Sequence, residues 1–462
     1  MAIRTSLALS ILLLCSPAIA QQTQDHDLTE LKQQLELLKQ QVAILEQKLQ
    51  APSKQQVKTI KVLSLDSDDT SSASQLAEIE QIIAEHGAAD QNNTLIIQTV
   101  AADTPEPEST DGINLGGAIR TNYSHTSYSD GNKNRGGDFA FDIFRLNLNG
   151  SVGDVTLNAE IRFFDYMTAV KSAYVGYGFS DNWQVLAGIT QVPFGNWPYN
   201  SHNYFFSSNY YLGLEDDYDL GIMFKRAIAD NWQLDLGFFK NDELGGVDGY
   251  VGSRSDRYSY DIVGSRLPAD GIYDDPAQPL GEYNTFSGRF GYHFSHNDIN
   301  TEVGVSGLAG GLHDGTRRAG DYYAWAAHLN STYDRWNLQL QYTQYKYQVD
   351  NSNSIAVGAY AFYDSIAAEA TSATANIAYS LPLAWGPVSG IQFYNDFSLI
   401  YDKSDNTANT MMNVTGFSVA AGGLFTYFDL VHARNQPFVG GSMAGDDSET
   451  ERRFNINIGY YF

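Results

Sequence analysis

From residue 454 onward the sequence alternates. Phe454, Ile456, Ile458, Tyr460 and Phe462 are apolar or aromatic, and Asn455, Asn457, Gly459 and Tyr461 between them are small, polar or amphipathic. A period of two sorts these residues onto opposite faces of an extended strand, one greasy and one wet. The pattern recurs from Gly112 over 113–123, 139–149, 155–164, 173–179, 183–191, 219–226, 232–240, 283–294, 299–308, 322–333, 336–347, 367–381, 388–402, 410–419, 424–433 and 453–462, which makes 16 strands.

The connections alternate as well. Short turns fall at 150–154, 180–182, 227–231, 295–298, 334–335, 382–387 and 420–423, whereas 124–138, 192–218, 241–282, 309–321, 348–366 and 434–452 are long. An even strand number with short turns at one end and long loops at the other is the pattern of an outer-membrane barrel. A soluble sandwich or propeller, the alternative, has no reason to keep it. Lipid offers no partner for unpaired backbone groups, so the sheet must close. Sixteen strands then enclose water rather than a filled core. Val155, Leu157, Ala159, Ile161 and Phe163 form one lipid-facing set, and Trp232, Leu234, Leu236 and Phe238 another. After the amino-terminal segment no apolar run approaches the length of a membrane helix. The expected fold is an all-β transmembrane barrel of 16 antiparallel strands, preceded by a periplasmic coiled-coil helix and a small βαβ-like module.

Residues 1–20 read as an export signal: Arg4, an apolar run from Leu7, and Ala18-Ile19-Ala20 before Gln21. A lipoprotein reading of Cys15 is opposed by the bulky Leu14. Cys15 is the only cysteine, so the exported chain has no thiolate for a disulfide, a metal site or a nucleophile. Residues 21–50 carry a heptad, with Leu28, Leu35, Val42 and Leu49 at one position and Leu31, Leu38 and Leu45 at the other. Residues 51–110 read as a small α/β module and linker, and 111–462 as the barrel. In the module, Asp66, Asp68 and Asp69 read as a solvated turn rather than a cation site. The formal net charge of −26 excludes a nucleic-acid partner, which needs a basic footprint.

Alternation directs Arg120, Arg145, Arg162 and Arg289 into the lumen, the first three on consecutive strands as one basic strip. Glu160, Asp235, Glu302, Asp396 and Asp429 point inward by the same rule. Such charges are either functional or simply solvated. The long loop 192–218 holds Trp197, Tyr199, His202, Tyr204, Phe205, Phe206, Tyr210 and Tyr211, then Glu215, Asp216 and Asp217. Aromatics this dense are odd in open water. Folded inward, the loop narrows the channel, and its acidic end can face the arginine strip. Packed outward, it serves a subunit contact.

The stretch Ala173-Tyr174-Val175-Gly176-Tyr177-Gly178-Phe179, the stretch from Val185 to Gly195 ending Val192-Pro193-Phe194-Gly195, and Asp429-Leu430-Val431-His432-Ala433-Arg434-Asn435-Gln436-Pro437-Phe438 resemble porins of the phosphate-selective O/P type. The resemblance covers roughly 113–462. It implies a trimeric 16-stranded channel with an inward third loop after the Pro193-Phe194-Gly195 turn. Phosphate does not carry over, because no Lys or Arg lies between Gln191 and Lys225. Aromatic Phe462 corresponds to the assembly signal of such barrels. The expectation is therefore a passive porin for small hydrophilic solutes, not an enzyme, with no cofactor and no metal. A sugar channel and a weakly cation-preferring pore are variants within that class. The alternatives from other classes are an envelope anchor or adhesin, and a barrel lipase or protease. The last needs a nucleophile beside His328 or His432, and neither has a convincing partner in sequence. Expected partners are outer-membrane lipid and lipopolysaccharide, two further copies of the chain, the barrel-assembly machinery and, through the amino-terminal segment, peptidoglycan.

Overall fold

A computed structural model describes residues 112–462 apart from Asp181, Asp230, Tyr250 and Asn351. The expected export signal, coiled coil and α/β module lie outside the described residues. The strands are β1 (Gly112–Thr126), β2 (Asp138–Val152), β3 (Val155–Phe163), β4 (Thr168–Ser180), β5 (Trp183–Gln191), β6 (Tyr218–Ile228) and β7 (Trp232–Asp242). They continue with β8 (Asp261–Ser265), β9 (Gln278–Pro279), β10 (Gly281–His296), β11 (Ile299–His313), β12 (Arg318–Tyr333), β13 (Trp336–Val349), β14 (Ser354–Ala359) and β15 (Phe362–Ala367). The last are β16 (Glu369–Trp385), β17 (Val388–Tyr401), β18 (Thr410–Ala421), β19 (Leu424–Arg434) and β20 (Glu451–Tyr461).

Strands β1–β7, β10–β13 and β16–β20 form a closed barrel, antiparallel throughout. Closure is made by β20 on β1, in register from Ala118 opposite Tyr461 to Thr126 opposite Arg453. Beyond that pairing, Phe462 N donates to Gly117 O at 3.0 Å and Gly117 N to Phe462 O at 2.8 Å. A Cβ at Gly117 would stand 2.3 Å from Arg145 O and 2.8 Å from the Phe462 ring, so this seam requires glycine. Backbone pairing across the seam thus runs from Gly117 to Thr126 of β1, which closes the sheet edge as a lipid environment demands.

The two faces differ as period two requires. Val155, Leu236 and Phe238 are exposed on the outside, whereas Glu160, Arg162 and Asp235 are buried inside. Near the short-turn end Phe179 stacks on Trp183 and Trp232 on Phe290, and Trp336 leans on Tyr379. Rings grouped at that depth suit a membrane–water interface, where an apolar body and a polar edge are both accommodated. Among the described residues no helix is long and apolar enough to cross a membrane.

Two sequence expectations need correction. The connections 241–282 and 348–366 are not plain loops: they carry β8, β9, β14 and β15, a separate sheet in the order β15-β14-β8-β9. Every residue of β8 is buried, so its two faces do not alternate and period two leaves no trace. The expected long connection 309–321 shrinks to 314–317, because β11 and β12 extend further than their apolar pattern. We label the connections at the long-loop end that matter below L3 (192–217), L4 (243–280), L6 (350–368), L7 (402–409) and L8 (435–450).

Candidate functional site

L3 folds into the barrel and is fastened to one side of it. Its entry turn is set by Gly195, at φ 59°, where a Cβ would lie 2.3 Å from Gln341 Oε1. That approach lets Gly195 N donate to Ser306 Oγ at 2.9 Å and Asn196 N to Gln341 Oε1 at 2.7 Å. Further on, Asp396 of β17 accepts from His202 N at 2.7 Å, Asn203 N at 3.0 Å and Asn203 Nδ2 at 2.8 Å, and its Oδ1 lies 2.8 Å from His202 Nδ1. Asn376 Nδ2 donates to Asn200 O at 2.6 Å. The short helix α1 (Ser208–Tyr211) ends the clasp, with Ser208 Oγ 2.6 Å from Ser398 Oγ and accepting from Gln436 Nε2 at 2.6 Å. Each bond contributes about 1 kcal/mol net, but each satisfies a group that would be costly to bury unpaired.

The far wall, β1–β4, carries the basic strip. Arg145 and Arg162 are directly paired across β2 and β3. Arg162 Nε pairs with Glu160 Oε1 at 2.6 Å, and Arg145 Nη1 lies 3.8 Å from Glu160 Oε2. Arg120 Nε pairs with Asp142 at 2.8 Å. These guanidinium groups are therefore compensated by carboxylates of the same wall.

Two charged residues of this wall were not among the sequence candidates. Where β1 meets β2 the register shifts, with Arg120 opposite Ile143 but Thr121 opposite Phe141, so Asp142 is the extra residue of a bulge. Where β3 meets β4, Glu160 faces Ser172 but Ile161 faces Val170, so Lys171 is the extra residue there. A bulge re-aims one side chain. Both residues consequently turn inward, Asp142 into the cavity and Lys171 to 2% exposure.

Between L3 and this wall lies a cavity of about 900 Å³, lined on one side by Arg120, Asp142 and Arg162 and on the other by Trp197, Tyr199, His202, Tyr204 and Phe205. Its lining extends from Asp334, Arg335 and Trp336 at the short-turn end to Tyr360 and Phe438 of L6 and L8. Tyr204 spans it, its hydroxyl 2.5 Å from Asp142 Oδ2 and accepting from Arg120 Nη2 at 2.9 Å.

Of the other expected residues, Arg145, Glu160, Asp235, Arg289, Glu302 and Asp396 face inward yet are not in the cavity lining. Arg289 holds Gly195 O through Nε at 2.9 Å and also engages Glu302 and His328. Asp396 serves the clasp, and Asp429 accepts the Tyr394 hydroxyl at 2.6 Å. Phe206 is buried beneath Phe205, with ring centroids 4.5 Å apart.

The acidic end of L3 divides. Glu215 accepts from Asn200 N at 2.8 Å and from the Ser207 hydroxyl, and burial pushes its carboxyl up to about 7. Asp216 Oδ1 pairs with Lys171 at 3.2 Å, and Asp216 Oδ2 accepts the Tyr258 hydroxyl at 2.5 Å. The Tyr258 ring lies under Arg162 at 4.3 Å, so a ring from L4 stands between Asp216 and the strip. Asp217 turns away from the cavity toward Asp219 and Asp261.

No known family profile matches the sequence, and no curated protein matches it. Solved structures do. OprB of Pseudomonas putida superposes with a TM-score of 0.50 at 9% identity, over 76% of this chain and 94% of that one. The outer membrane channel DcaP of Acinetobacter baumannii gives 0.48 at 12% identity, over 78% and 99%. An anion-selective porin from Comamonas acidovorans gives 0.47 at 12% identity, over 76% and 100%. At such identities the OprB likeness speaks for the fold, and the chain has the architecture of an outer-membrane β-barrel.

Proposed function

We propose that this protein is an outer-membrane porin, through which small hydrophilic solutes diffuse passively past L3. The observation that carries the reading is the cavity between the clasped loop and the β1–β3 wall, with a lining that reaches from the short-turn end to the outer loops. A wet, charged interior inside an apolar exterior is the arrangement a channel in lipid requires. The apolar outer face supports a location in the outer membrane of a Gram-negative cell. Assembly as a homotrimer rests on the family resemblance, and chemical cross-linking of the purified protein tests it.

Reconstitution into planar bilayers tests the channel itself. Discrete conductance steps that persist in symmetric salt are expected, and their absence from a folded, inserted preparation overturns the reading. A strong phosphate preference is not expected, because Arg120 and Arg162 already face Asp142 and Glu160. A sugar channel is the second reading, favoured by the rings of Trp197, Tyr199, Tyr204 and Phe205 in the lining. Concentration-dependent block of the ion current by a neutral disaccharide, with no block by an equally sized polyol, would select it.

A further inference from the structure

Where L3 meets β6, three carboxylates from three elements converge: Asp217 from the end of L3, Asp219 from the second residue of β6 and Asp261 from β8 within L4. One carboxylate oxygen from each lies within 4.8 Å of the others. Their exposures are 7%, 1% and 4%, so water screens none of them well. Glu243 and Glu282 lie within electrostatic reach of both Asp217 and Asp219.

The nearby cations are already committed. Arg257 donates through Nη1 to Asp261 at 2.7 Å and through Nη2 to Asp242 at 2.9 Å, and Arg254 is bound to Asp242. Glu282 is met by the hydroxyls of Tyr322 and Tyr347. What is left over is specific: among the described residues, Oδ1 of Asp217 and Oδ1 of Asp219 are fully buried and have no hydrogen-bond partner. A buried, unpaired carboxylate oxygen is expensive.

We propose that Asp217, Asp219 and Asp261 bind one divalent cation of the calcium class, which ties the acidic end of L3 to L4 and to the barrel wall. The donors are all oxygen, which suits a hard cation, and three carboxylates of unequal setting suit calcium's tolerance of irregular geometry better than magnesium's strict octahedron. Arg257 acts on Asp217 through space without bonding it, so the cation supplies the direct partner that the two free oxygens lack. The site is independent of what passes through the lumen and does not rest on the porin reading.

The test uses the full chain purified in detergent, stripped with EDTA and then titrated with calcium chloride. Equilibrium binding should show one more tightly held calcium per chain in the wild type than in the double variant Asp217→Asn, Asp219→Asn. The single Asp219→Asn change should weaken binding by more than about tenfold, since ligand charge sets affinity. Asp447→Asn, on the exposed surface of L8, should leave it unchanged. Calcium should raise the unfolding temperature of the wild type and not that of the double variant, whose repulsion is already relieved. Equal binding by wild type and double variant overturns the proposal, and so does an unfolding temperature indifferent to both EDTA and calcium. If the variant does not fold, the wild type alone decides: terbium should luminesce on excitation of the neighbouring Tyr218 and calcium should quench it by competition. No sensitised emission refutes the site.

Discussion

The Tyr204 hydroxyl, carried by a loop clasped to β13, β16 and β17, sits 2.5 Å from the carboxylate of Asp142 on the opposite wall. L3 is thus clasped along one side and meets the other at two places, this phenol on β2 and the Lys171 ammonium of β4, which bonds Tyr199 and pairs with Asp216. Tyr204→Phe removes that bridge and leaves Asp142 paired with Arg120 at 2.8 Å. A hydrogen bond to a charged group contributes about 2 kcal/mol, so thermal stability should fall by roughly that amount. The open-channel current should become noisier, as the ring loses its tether, with a small change in its mean. Tyr204→Ala should raise the mean conductance. Single-channel recordings of the two variants check both statements, and a Tyr204→Ala channel no more conductive than wild type would show that this ring does not bound the path.

The bulges explain why the wall was only partly legible in the sequence. Each of the 16 strand spans read from period two overlaps a barrel strand, because one apolar face against lipid leaves a strong imprint. Strict alternation, however, sends Asp142 to the same side as Phe144 and Leu146, and Lys171 to the same side as Ala173. A charge on the lipid face is costly, and that conflict is the signal that a bulge intervenes at each site. Lys171 also lies before the span 173–179 read as strand, since Lys171 and Ser172 interrupt the apolar pattern. The L3 aromatics announced an inward loop, but nothing local indicates that Asp396 holds it. That contact joins residues 194 positions apart and depends on barrel register.

Asp396 is the hub of the clasp, with two backbone N–H groups and one side-chain amide of L3 donating to it. Asp396→Ala leaves those donors buried and unsatisfied, at a cost of about 1–3 kcal/mol each before relaxation. The loop should detach from β17 while the barrel stays closed. Chymotrypsin suits the measurement, because L3 is rich in Tyr and Phe and has no Lys or Arg for trypsin. Cleavage within 199–211 should accelerate at least about tenfold, the factor that 1.4 kcal/mol of local opening represents. Conductance should rise in parallel. Unchanged proteolysis would mean that Ser398, Gln341 and Asn376 suffice to hold the loop.

Glu215, which lines the cavity beside L3, is expected to make it sensitive to pH. Burial raises its carboxyl from the ordinary 4.5 to about 7, against the lowering effect of the bonds from Ser207 and Asn200. A raised carboxyl binds its proton more tightly in the folded state. The associated stability is therefore complete below the ordinary carboxylate value and is lost as pH rises through about 7. The shift corresponds to roughly 3 kcal/mol. Because Glu215 lines the cavity, its negative charge appears over the same range. Reversal potentials in a salt gradient should move toward cation preference between about pH 6 and about pH 8, a window centred on the shifted value. Glu215→Gln should abolish that movement and flatten the stability change. A wild-type reversal potential constant across the window contradicts the assignment.

Lys171 and Asp216 couple the barrel wall to the end of L3. Their ion pair is 3.2 Å long with both side chains buried, and Lys171 is surrounded by the rings of Tyr199, Tyr218 and Tyr258. Removing one member of a buried pair strands the other charge, at about 3–5 kcal/mol, whereas removing both is far milder. Lys171→Met alone should therefore destabilise strongly, moderated only by the Tyr258 hydroxyl that remains on Asp216. Asp216→Asn alone should leave a cation buried among rings, a less severe state because ring faces stabilise it. The double variant should recover most of the loss, giving a coupling energy of about 2 kcal/mol or more in a double-mutant cycle of unfolding free energies. The same cycle read as conductance separates structure from selectivity. If Asp216 only anchors the loop, the double variant should conduct like the wild type with unchanged ion preference. A double variant of normal stability but altered reversal potential would instead show that passing ions sense this pair.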